Sequence, residues 1–216
     1  MKYQAVIFDW DGTLANSTGR IVESLQLASR EAQLRQLTEF ELKQIIGLGL
    51  PEALRQLWPE LENNDSAVDE MRDLYSRHYM SETRSPISFF DHANSLLDSL
   101  IKAELDLAVA TGKSRVGLDR AFKELKAGHL FTDSRCADET KSKPHPLMLN
   151  ELAVSLSVAP ENMLMVGDTT FDLDMATAAG VDSVAITHGA HDLDKLMACN
   201  PVHVVHSLKE LNDWLL

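Results

Sequence analysis

The sequence has few of the features that mark secreted, membrane-spanning or nucleic-acid-binding proteins. Its two cysteines, Cys136 and Cys199, lie far apart and form no C-x-x-C pair, which argues against a disulfide framework and against a zinc site. The first residues lack the apolar region of a signal peptide, and no apolar run approaches the roughly 20 residues that a membrane-spanning helix needs. Reduced thiols in a cytoplasmic protein are therefore the simplest expectation.

Positive charge is scarce as well. Among 216 residues, 20 are Lys or Arg and 33 are Asp or Glu, so the formal net charge is -13. A chain this acidic repels nucleic acid phosphates and anionic lipid, and we expect neither a nucleic acid nor a membrane as its partner. If such a protein handles an anionic substrate, it needs a metal ion and a few well-placed cations nearby.

The chain does contain a regular alternation of short apolar runs and helical patterns. Apolar runs typical of buried parallel strands lie at residues 5–8, 105–110, 163–166, 181–186 and 202–205. Helical patterns lie at residues 93–101, 115–125, 146–156, 172–179 and 208–215. This order predicts an α/β fold with a doubly wound, Rossmann-like parallel sheet.

One segment interrupts this alternation. From the end of the first strand to about residue 84, apolar residues recur only at helical spacing, with a turn marked by Gly47 and Gly49. We interpret the segment as a helical unit inserted into the chain after the first strand. The predicted core domain comprises residues 1–15 and 86–216, and the predicted helical domain comprises residues 16–85.

Polar residues follow the predicted strands at the points where the strands end, and a lysine precedes one of the helices. In a parallel sheet, ligands bind at the carboxyl ends of the strands, so these side chains are expected to converge at one edge. In chain order, the polar groups expected there are Asp9, Asp11, Thr111, Gly112, Lys143, Asp168 and Asp172.

Such a set of groups suits phosphoryl-group chemistry. Clustered carboxylates repel each other unless a cation lies among them, and Mg²⁺ prefers one or two carboxylates together with a substrate phosphate. One carboxylate can act as a nucleophile and form an aspartyl-phosphate, while a second carboxyl group can protonate the leaving oxygen. A hydroxyl group, backbone amides and a lysine can stabilise the transferring phosphoryl group. We therefore predict Mg²⁺ as the cofactor and a small phosphorylated metabolite as the partner.

In this order, the motifs resemble those of the haloacid dehalogenase superfamily, subfamily IA. The four motifs are the segment from Asp9 to Thr13, then Thr111, then Lys143, and finally Asp168 with the residues that follow it. The inserted helical unit looks like the small cap domain of the phosphoglycolate phosphatase-like branch. The resemblance implies a Mg²⁺-dependent phosphatase that hydrolyses a small phosphate monoester, with phosphoglycolate as the substrate suggested by the branch.

The resemblance also implies roles for the acidic residues. Asp9 is expected to be the nucleophile and a Mg²⁺ ligand. Asp11 is expected to be the general acid and base, and to bind Mg²⁺ through its backbone carbonyl. Asp168 is expected to be the third protein ligand of the metal. Asp172 is expected to lie behind the ligands, where it would place a lysine or a metal-bound water.

On the phosphate side, the resemblance implies that Thr111, the Gly112 amide and Lys143 hold the phosphate oxygens. Many relatives carry Asn where this chain has Gly112, so the backbone contact is expected to remain while a side-chain contact is absent. Lys143 is also expected to orient Asp9. Lys141 is an alternative to Lys143, which is preferred because a proline follows it directly.

Two other functions remain open from the sequence alone. A phosphomutase of the same branch, similar to β-phosphoglucomutase, would return the phosphoryl group from Asp9 to a sugar instead of to water. A non-enzymatic phospho-acceptor module, resembling a response-regulator receiver, also uses an Asp cluster and a Lys on an α/β sheet. Such modules are shorter and lack the helical insert, which favours the enzyme.

Overall fold

The computed structural model describes residues 2–81 and 86–216. Its strands are β1 (Ala5–Phe8), β2 (Ala15–Asn16), β3 (Ser88–Phe89), β4 (Asp106–Thr111), β5 (Asp133–Cys136), β6 (Met163–Gly167), β7 (Asp182–Ile186) and β8 (His203–Val205). Its helices are α1 (Thr18–Glu31), α2 (Glu39–Lys43), α3 (Leu50–Leu57), α4 (Asp65–Tyr79), α5 (Ala93–Lys102), α6 (Arg115–Leu125), α7 (Leu147–Leu156), α8 (Thr170–Ala179), α9 (Leu193–Ala198) and α10 (Leu208–Leu215).

Six of these strands form one parallel sheet in the order β5-β4-β1-β6-β7-β8. All four residues of β1 are completely buried, because helices cover both faces of the sheet. Val6 and Phe8 belong to the apolar core on one face, whereas Ala5 and Ile7 belong to the core on the other. The predicted α/β fold with a doubly wound sheet is confirmed.

The edge strand β5 was not predicted, because its sequence has no continuous apolar run. Its four residues include two charged side chains, and buried and half-buried positions alternate along it. A strand at the edge has one neighbour and one exposed side, so it needs no continuous apolar run. The predicted strands and helices otherwise agree with the structure to within two residues at each end.

The helices α1 to α4 have an apolar core of their own, separate from the two faces of the sheet. Leu25, Leu54 and Trp58 are fully buried in it, and the indole of Trp58 donates a hydrogen bond of 2.9 Å to the carbonyl of Arg35. We refer to residues 18–79 as the helical unit. The predicted end of the inserted domain at residue 85 lies outside the described residues.

The two connections to the helical unit run side by side. Strand β2 leads into the unit and β3 follows it, and they pair antiparallel, with Ala15 opposite Phe89 and Asn16 opposite Ser88. The amide of Phe90 also donates to the carbonyl of Leu14 at 2.9 Å. The unit therefore joins the sheet domain through a two-stranded ribbon. Within the described ranges, we find no helix that is long and apolar enough to cross a bilayer.

Candidate active site

The sheet brings three predicted motifs to one edge. Phe8, the last residue of β1, lies in register with Val109 of β4 and Val166 of β6. The next residue, Asp9, therefore leaves the sheet between the ends of β4 and β6, and its amide donates to the carbonyl of Val166 at 2.9 Å. Asp168 follows the end of β6 directly. This convergence at the carboxyl ends of parallel strands is the arrangement that positions ligands in open α/β sheets.

Lys143 connects two of the acidic residues in the interior. Its Nζ lies 2.5 Å from Oδ1 of Asp9 and 2.6 Å from Oδ1 of Asp172, and all three side chains are almost completely buried. Asp172 lies in the first turn of α8, where its Oδ2 accepts hydrogen bonds from the amide and the hydroxyl of Thr169 at 3.1 and 2.7 Å. This capping box fixes the Asp172 carboxylate, which in turn holds the lysine against Asp9.

Asp168 is held by hydrogen bonds on both carboxylate oxygens. The hydroxyl of Thr13 donates to Oδ1 at 2.6 Å, and the amide of Ala190 donates to Oδ2 at 2.7 Å. Gly12 adopts a φ of +93° and lies so close that a Cβ atom there would collide with the Asp168 carboxylate. Gly189 is equally close. The glycines therefore allow two backbone segments to close around this acidic group.

Charge in this interior is not balanced. Burial raises the pKa of Asp9 well above its ordinary value; Lys143 opposes the shift, and the neighbouring carboxylates reinforce it. Burial, together with the charge of Asp172, raises the pKa of Asp168 to about 7, although its hydrogen bonds counteract part of the shift. Burial disfavours a charged Lys143, but Asp172 and Asp9 outweigh that effect and raise its pKa. One lysine thus faces several carboxylates, which is a setting that favours a further cation.

The donor set fits a small, hard metal ion. Carboxylate oxygens of Asp9, Asp168 and Asp172 all lie within 4.8 Å of one another. Oδ2 of Asp9 is buried and has no hydrogen-bond partner among the described residues. Buried polar atoms normally have partners, so this oxygen is open to a bound group, and the three converging carboxylates form the all-oxygen donor set that Mg²⁺ prefers.

Asp11 lies outside this cluster and faces the helical unit. Its Oδ1 accepts a hydrogen bond from the hydroxyl of Ser17 at 2.5 Å and lies 3.0 Å from Nζ of Lys113. Both contacts use the same oxygen. Asp9 and Asp11 therefore have different surroundings although only one residue separates them.

Thr111 and Gly112 lie where β4 ends. Thr111 is fully buried, and its hydroxyl accepts a hydrogen bond of 3.2 Å from the amide of Lys113. At Gly112, a Cβ atom would collide with the carbonyl oxygens of Gly47 and Leu48 in the helical unit. The absence of a side chain at Gly112 therefore lets the turn of the helical unit approach the site closely.

The same turn touches two further loops of the site. The amide of Gly49 donates to the hydroxyl of Ser142 at 2.7 Å, next to Lys143. Gly47 lies against the side chain of Thr169, next to Asp168. The turn at Gly47–Gly49 thus packs against the ends of β4 and β6 and the loop before α7, so the helical unit covers the site.

Sequence reasoning did not assign the loop that follows β7. Ala190 from this loop binds Asp168, as described above, and packs into the core of the helical unit. The buried His191 accepts a hydrogen bond from the amide of Thr170 at Nδ1, and its Nε2 lies 3.2 Å from the carbonyl oxygen of Gln44. The position of the loop after a parallel strand is the signal that could have drawn attention to it.

Comparison with known proteins identifies related sequences. The sequence model of the haloacid dehalogenase-like hydrolases matches residues 6–186. A phosphoglycolate phosphatase from Vibrio vulnificus is 28% identical, over 100% of this chain and 97% of its own. A pyrophosphatase from Oceanobacillus iheyensis is 23% identical, over 98% of this chain and 96% of its own.

Solved structures share the whole fold. A predicted phosphoglycolate phosphatase from Haemophilus somnus aligns with a TM-score of 0.87 at 21% identity, covering 100% of this chain and 99% of its own. A putative β-phosphoglucomutase from Bacteroides vulgatus aligns with a TM-score of 0.85 at 18% identity, covering 98% of this chain and 86% of its own. The predicted family and the predicted enzyme class, a hydrolase, are confirmed. The chain belongs to the haloacid dehalogenase-like hydrolase family, in the branch that contains phosphoglycolate phosphatases.

Proposed function

We propose that the protein is a Mg²⁺-dependent phosphatase that hydrolyses a small phosphate monoester through a phosphorylated Asp9. The observation that carries the proposal is the Asp9 carboxylate, in which Lys143 binds Oδ1 while Oδ2 is buried without a partner among the described residues. A fixed carboxylate with one free oxygen is suited to nucleophilic attack on phosphorus.

In the first step, Oδ2 of Asp9 forms a bond to phosphorus and the ester bond to the leaving oxygen breaks. Asp11 gives its proton to that oxygen, so an alcohol departs. In the second step, Asp11 takes a proton from water, whose oxygen attacks the phosphorus of phospho-Asp9. The bond between phosphorus and Oδ2 then breaks and inorganic phosphate leaves. The Asp9 carboxylate is thereby restored.

Other residues of the chain stabilise the transferring group. Lys143 offers positive charge beside Asp9, and the Thr111 hydroxyl and the Gly112 amide lie at the end of the neighbouring strand. We assign Asp9, Asp168 and the backbone carbonyl of Asp11 as the residues that would hold Mg²⁺, with Asp172 behind them as the partner of Lys143. When bound, Mg²⁺ would neutralise charge on the phosphate oxygens and on the buried carboxylates.

The helical unit is proposed to act as the cap domain, residues 16–85, and to exclude water from the site. Support comes from its turn at Gly47–Gly49, which packs against three loops of the site. Phosphoglycolate is the first candidate substrate, because curated relatives along the full chain carry that activity in their names. A cytoplasmic location remains a prediction from the two free cysteines.

A screen of small phosphate esters with and without Mg²⁺ tests the proposal. We expect release of inorganic phosphate that depends on Mg²⁺ and is stopped by a chelator. Asp9→Asn should lower turnover by at least about 10³-fold, since the nucleophile is lost, while Asp98→Asn, an exposed substitution of the same type on α5, should not. Retained activity in Asp9→Asn would overturn the assignment. Conversion of a sugar phosphate to its isomer without phosphate release would identify a phosphomutase instead.

A further inference from the structure

Two cations from different parts of the chain meet at one tyrosine ring. Nζ of Lys113 lies 5.0 Å from the centroid of the Tyr79 ring, and the guanidinium carbon of Arg20 lies 5.1 Å from it. Lys113 follows β4, whereas Arg20 and Tyr79 belong to helices α1 and α4 of the helical unit. In a chain with a net charge of -13, two cations packed against one ring at a domain junction require an explanation.

This cationic group lies beside the proposed general acid. Nζ of Lys113 lies 3.0 Å from Oδ1 of Asp11 and 3.3 Å from the hydroxyl of Tyr79. The side chains of Lys113 and Arg20 are only 10% and 14% exposed. Because Asp11 protonates the departing oxygen in the proposed mechanism, the groups around its side chain border the space that the leaving group occupies.

The donors of these cations are incompletely satisfied. Lys113 has three N–H groups, and its contacts with Asp11 and Tyr79 account for two of them. Within the described part of the chain, Arg20 makes one long hydrogen bond, 3.5 Å from Nη1 to Oε1 of Glu124, and its buried Nε has no partner there. Buried donors without acceptors destabilise a protein unless a ligand supplies the acceptors.

The aromatic walls of this space add no negative charge. Tyr75 packs against Tyr79 with ring centroids 5.6 Å apart. Burial raises the pKa of both phenols, so both stay neutral at physiological pH. The two neutral rings therefore leave the positive charges of Lys113 and Arg20 without a neighbouring phenolate that would neutralise them.

We propose that Arg20, Tyr79 and Lys113 recognise an acidic group on the leaving-group part of the substrate. The acidic group is a carboxylate or a second phosphate, separated from the transferred phosphoryl group by a few bonds at most. These residues would make the enzyme prefer phosphorylated short acids or diphosphates over phosphate esters of neutral alcohols. The proposal rests on the phosphatase function proposed above and names the residues that select its substrate.

The competing interpretation is purely structural. In that view, Lys113 only neutralises Asp11, and Arg20 only ties α1 to Glu124 on α6. Loss of Lys113 would then slow every substrate by the same factor, because it would act through Asp11. Loss of Arg20, which has no described contact with Asp11, would affect stability without changing the ratio between substrates.

The test compares substrates whose leaving groups differ in charge. Phosphoglycolate is paired with hydroxyethyl phosphate, in which a neutral alcohol replaces the carboxylate, and inorganic pyrophosphate forms the second acidic arm. The variants are Arg20→Met and Lys113→Met, with Arg20→Lys to restore charge and Lys123→Met, an exposed position on α6, as the matched control. Melting temperatures of all variants are recorded with Mg²⁺ bound.

We expect the wild-type enzyme to prefer at least one acidic substrate over hydroxyethyl phosphate by about tenfold or more in kcat/KM. Arg20→Met and Lys113→Met should each lower that ratio by about tenfold, and Arg20→Lys should restore part of it. Lys123→Met should leave the ratio unchanged. If the variants remove the preference for phosphoglycolate, the recognised acidic group is a carboxylate. If they remove the preference for pyrophosphate, it is a phosphate.

Equal loss on acidic and neutral substrates, or no preference in the wild type, would overturn the proposal while leaving the phosphatase function intact. Failure of the phosphatase function itself has a different signature. The wild type would then release phosphate neither from the three substrates nor from p-nitrophenyl phosphate. If Arg20→Met does not fold, the ratio in Arg20→Lys and Lys113→Met decides the question.

Discussion

Nζ of Lys143 bridges Oδ1 of Asp9 and Oδ1 of Asp172 in a fully buried setting, at 2.5 and 2.6 Å. A lysine in such a place is stable only because the two carboxylates compensate for its lost hydration, and they in turn depend on it. The ion pairs therefore hold the nucleophile in place and also make the fold sensitive to any change in local charge.

Lys143→Met should destabilise the fold by about 3–5 kcal/mol at about pH 8, because it leaves buried carboxylates without their cation. Lys143 lowers the pKa of both Asp9 and Asp168, so its removal raises both. A carboxyl group with a raised pKa takes up a proton as the pH falls and then no longer needs the cation. The loss of unfolding free energy caused by Lys143→Met should therefore shrink towards about pH 5. Urea denaturation of the wild type and the variant, with a chelator present and at both pH values, measures the difference in the free energy of unfolding.

Lys141→Met is the matched control for that experiment, since Lys141 is exposed and lies two residues away. It should change the free energy of unfolding by less than about 0.5 kcal/mol. A larger effect for Lys141→Met than for Lys143→Met would contradict the assignment of the buried lysine.

Binding of Mg²⁺ should stabilise the protein more at high pH than at low pH. The pKa of Asp168, about 7 in the metal-free fold, exceeds the ordinary value of 3.8, and that of Asp9 is also raised. Protonation therefore stabilises the metal-free fold at low pH, and this contribution is lost as the pH rises through about 7. Above that value the carboxylates are charged and free to bind a cation.

Thermal unfolding with and without Mg²⁺ measures this effect. At a Mg²⁺ concentration about 100 times its Kd, the melting temperature should rise by about 5–10 °C near pH 8. Near pH 5.5 the rise should be much smaller, and a chelator should reverse it at both values. An equal rise at both pH values would show that the cation binds elsewhere.

Asp11→Asn should distinguish substrates by the quality of their leaving group. An alkyl phosphate needs a proton on the departing oxygen, so its turnover should fall by about 10²–10⁴-fold. The nitrophenolate of p-nitrophenyl phosphate departs without a proton, so phospho-Asp9 should form and then hydrolyse slowly. Rapid-mixing measurements should show a burst of about one nitrophenolate per enzyme. Equal losses on both substrates and no burst would argue against a proton-transfer role for Asp11.

Gly112→Ala should impair the approach of the helical unit more than the stability of the sheet. Its new Cβ would collide with the carbonyl oxygens of Gly47 and Leu48, so the turn must retreat from the site. We expect kcat/KM to fall by about 10²-fold, with the melting temperature changed by only a few degrees. Gly19→Ala, where the new Cβ would meet no side chain or backbone beyond its own turn of helix, is the control and should retain full activity.

The parts of the fold that sequence reasoning predicted are those in which local pattern and burial agree. Residues 5–8 and 163–166 are apolar throughout because both faces of the central sheet are covered, and that condition is visible in the sequence. The strand β5 was missed because only alternate residues in it are buried. The convergence of Asp9 and Asp168 follows from their places directly after strands, which topology dictates. Lys143 was identified instead as the lysine that precedes a helix and is followed by a proline.

Contacts that depend on three-dimensional approach could not be predicted. Ala190 binds Asp168 through a backbone amide, which any residue except proline carries, so no residue type signals it. The burial of Lys143 and the exposure of Lys141 also depend on the loop path before α7. Gly112 stood out as a departure from the usual Asn, but only the structure shows that the turn at Gly47 and Leu48 fills the space beside it.

The pairing of β2 with β3 has a consequence for how this enzyme could change over evolutionary time. Because the chain leaves and re-enters the sheet domain through neighbouring strands, the two connecting segments, Ala15–Asn16 and Ser88–Phe89, lie about 5 Å apart. A segment whose ends adjoin can be lengthened, shortened or exchanged without moving the central strands that carry Asp9 and Asp168. If the helical unit acts as the proposed cap, its contribution to substrate choice can thus diversify through one replaceable module, while Asp9 and Asp168 keep their places at the edge of the sheet.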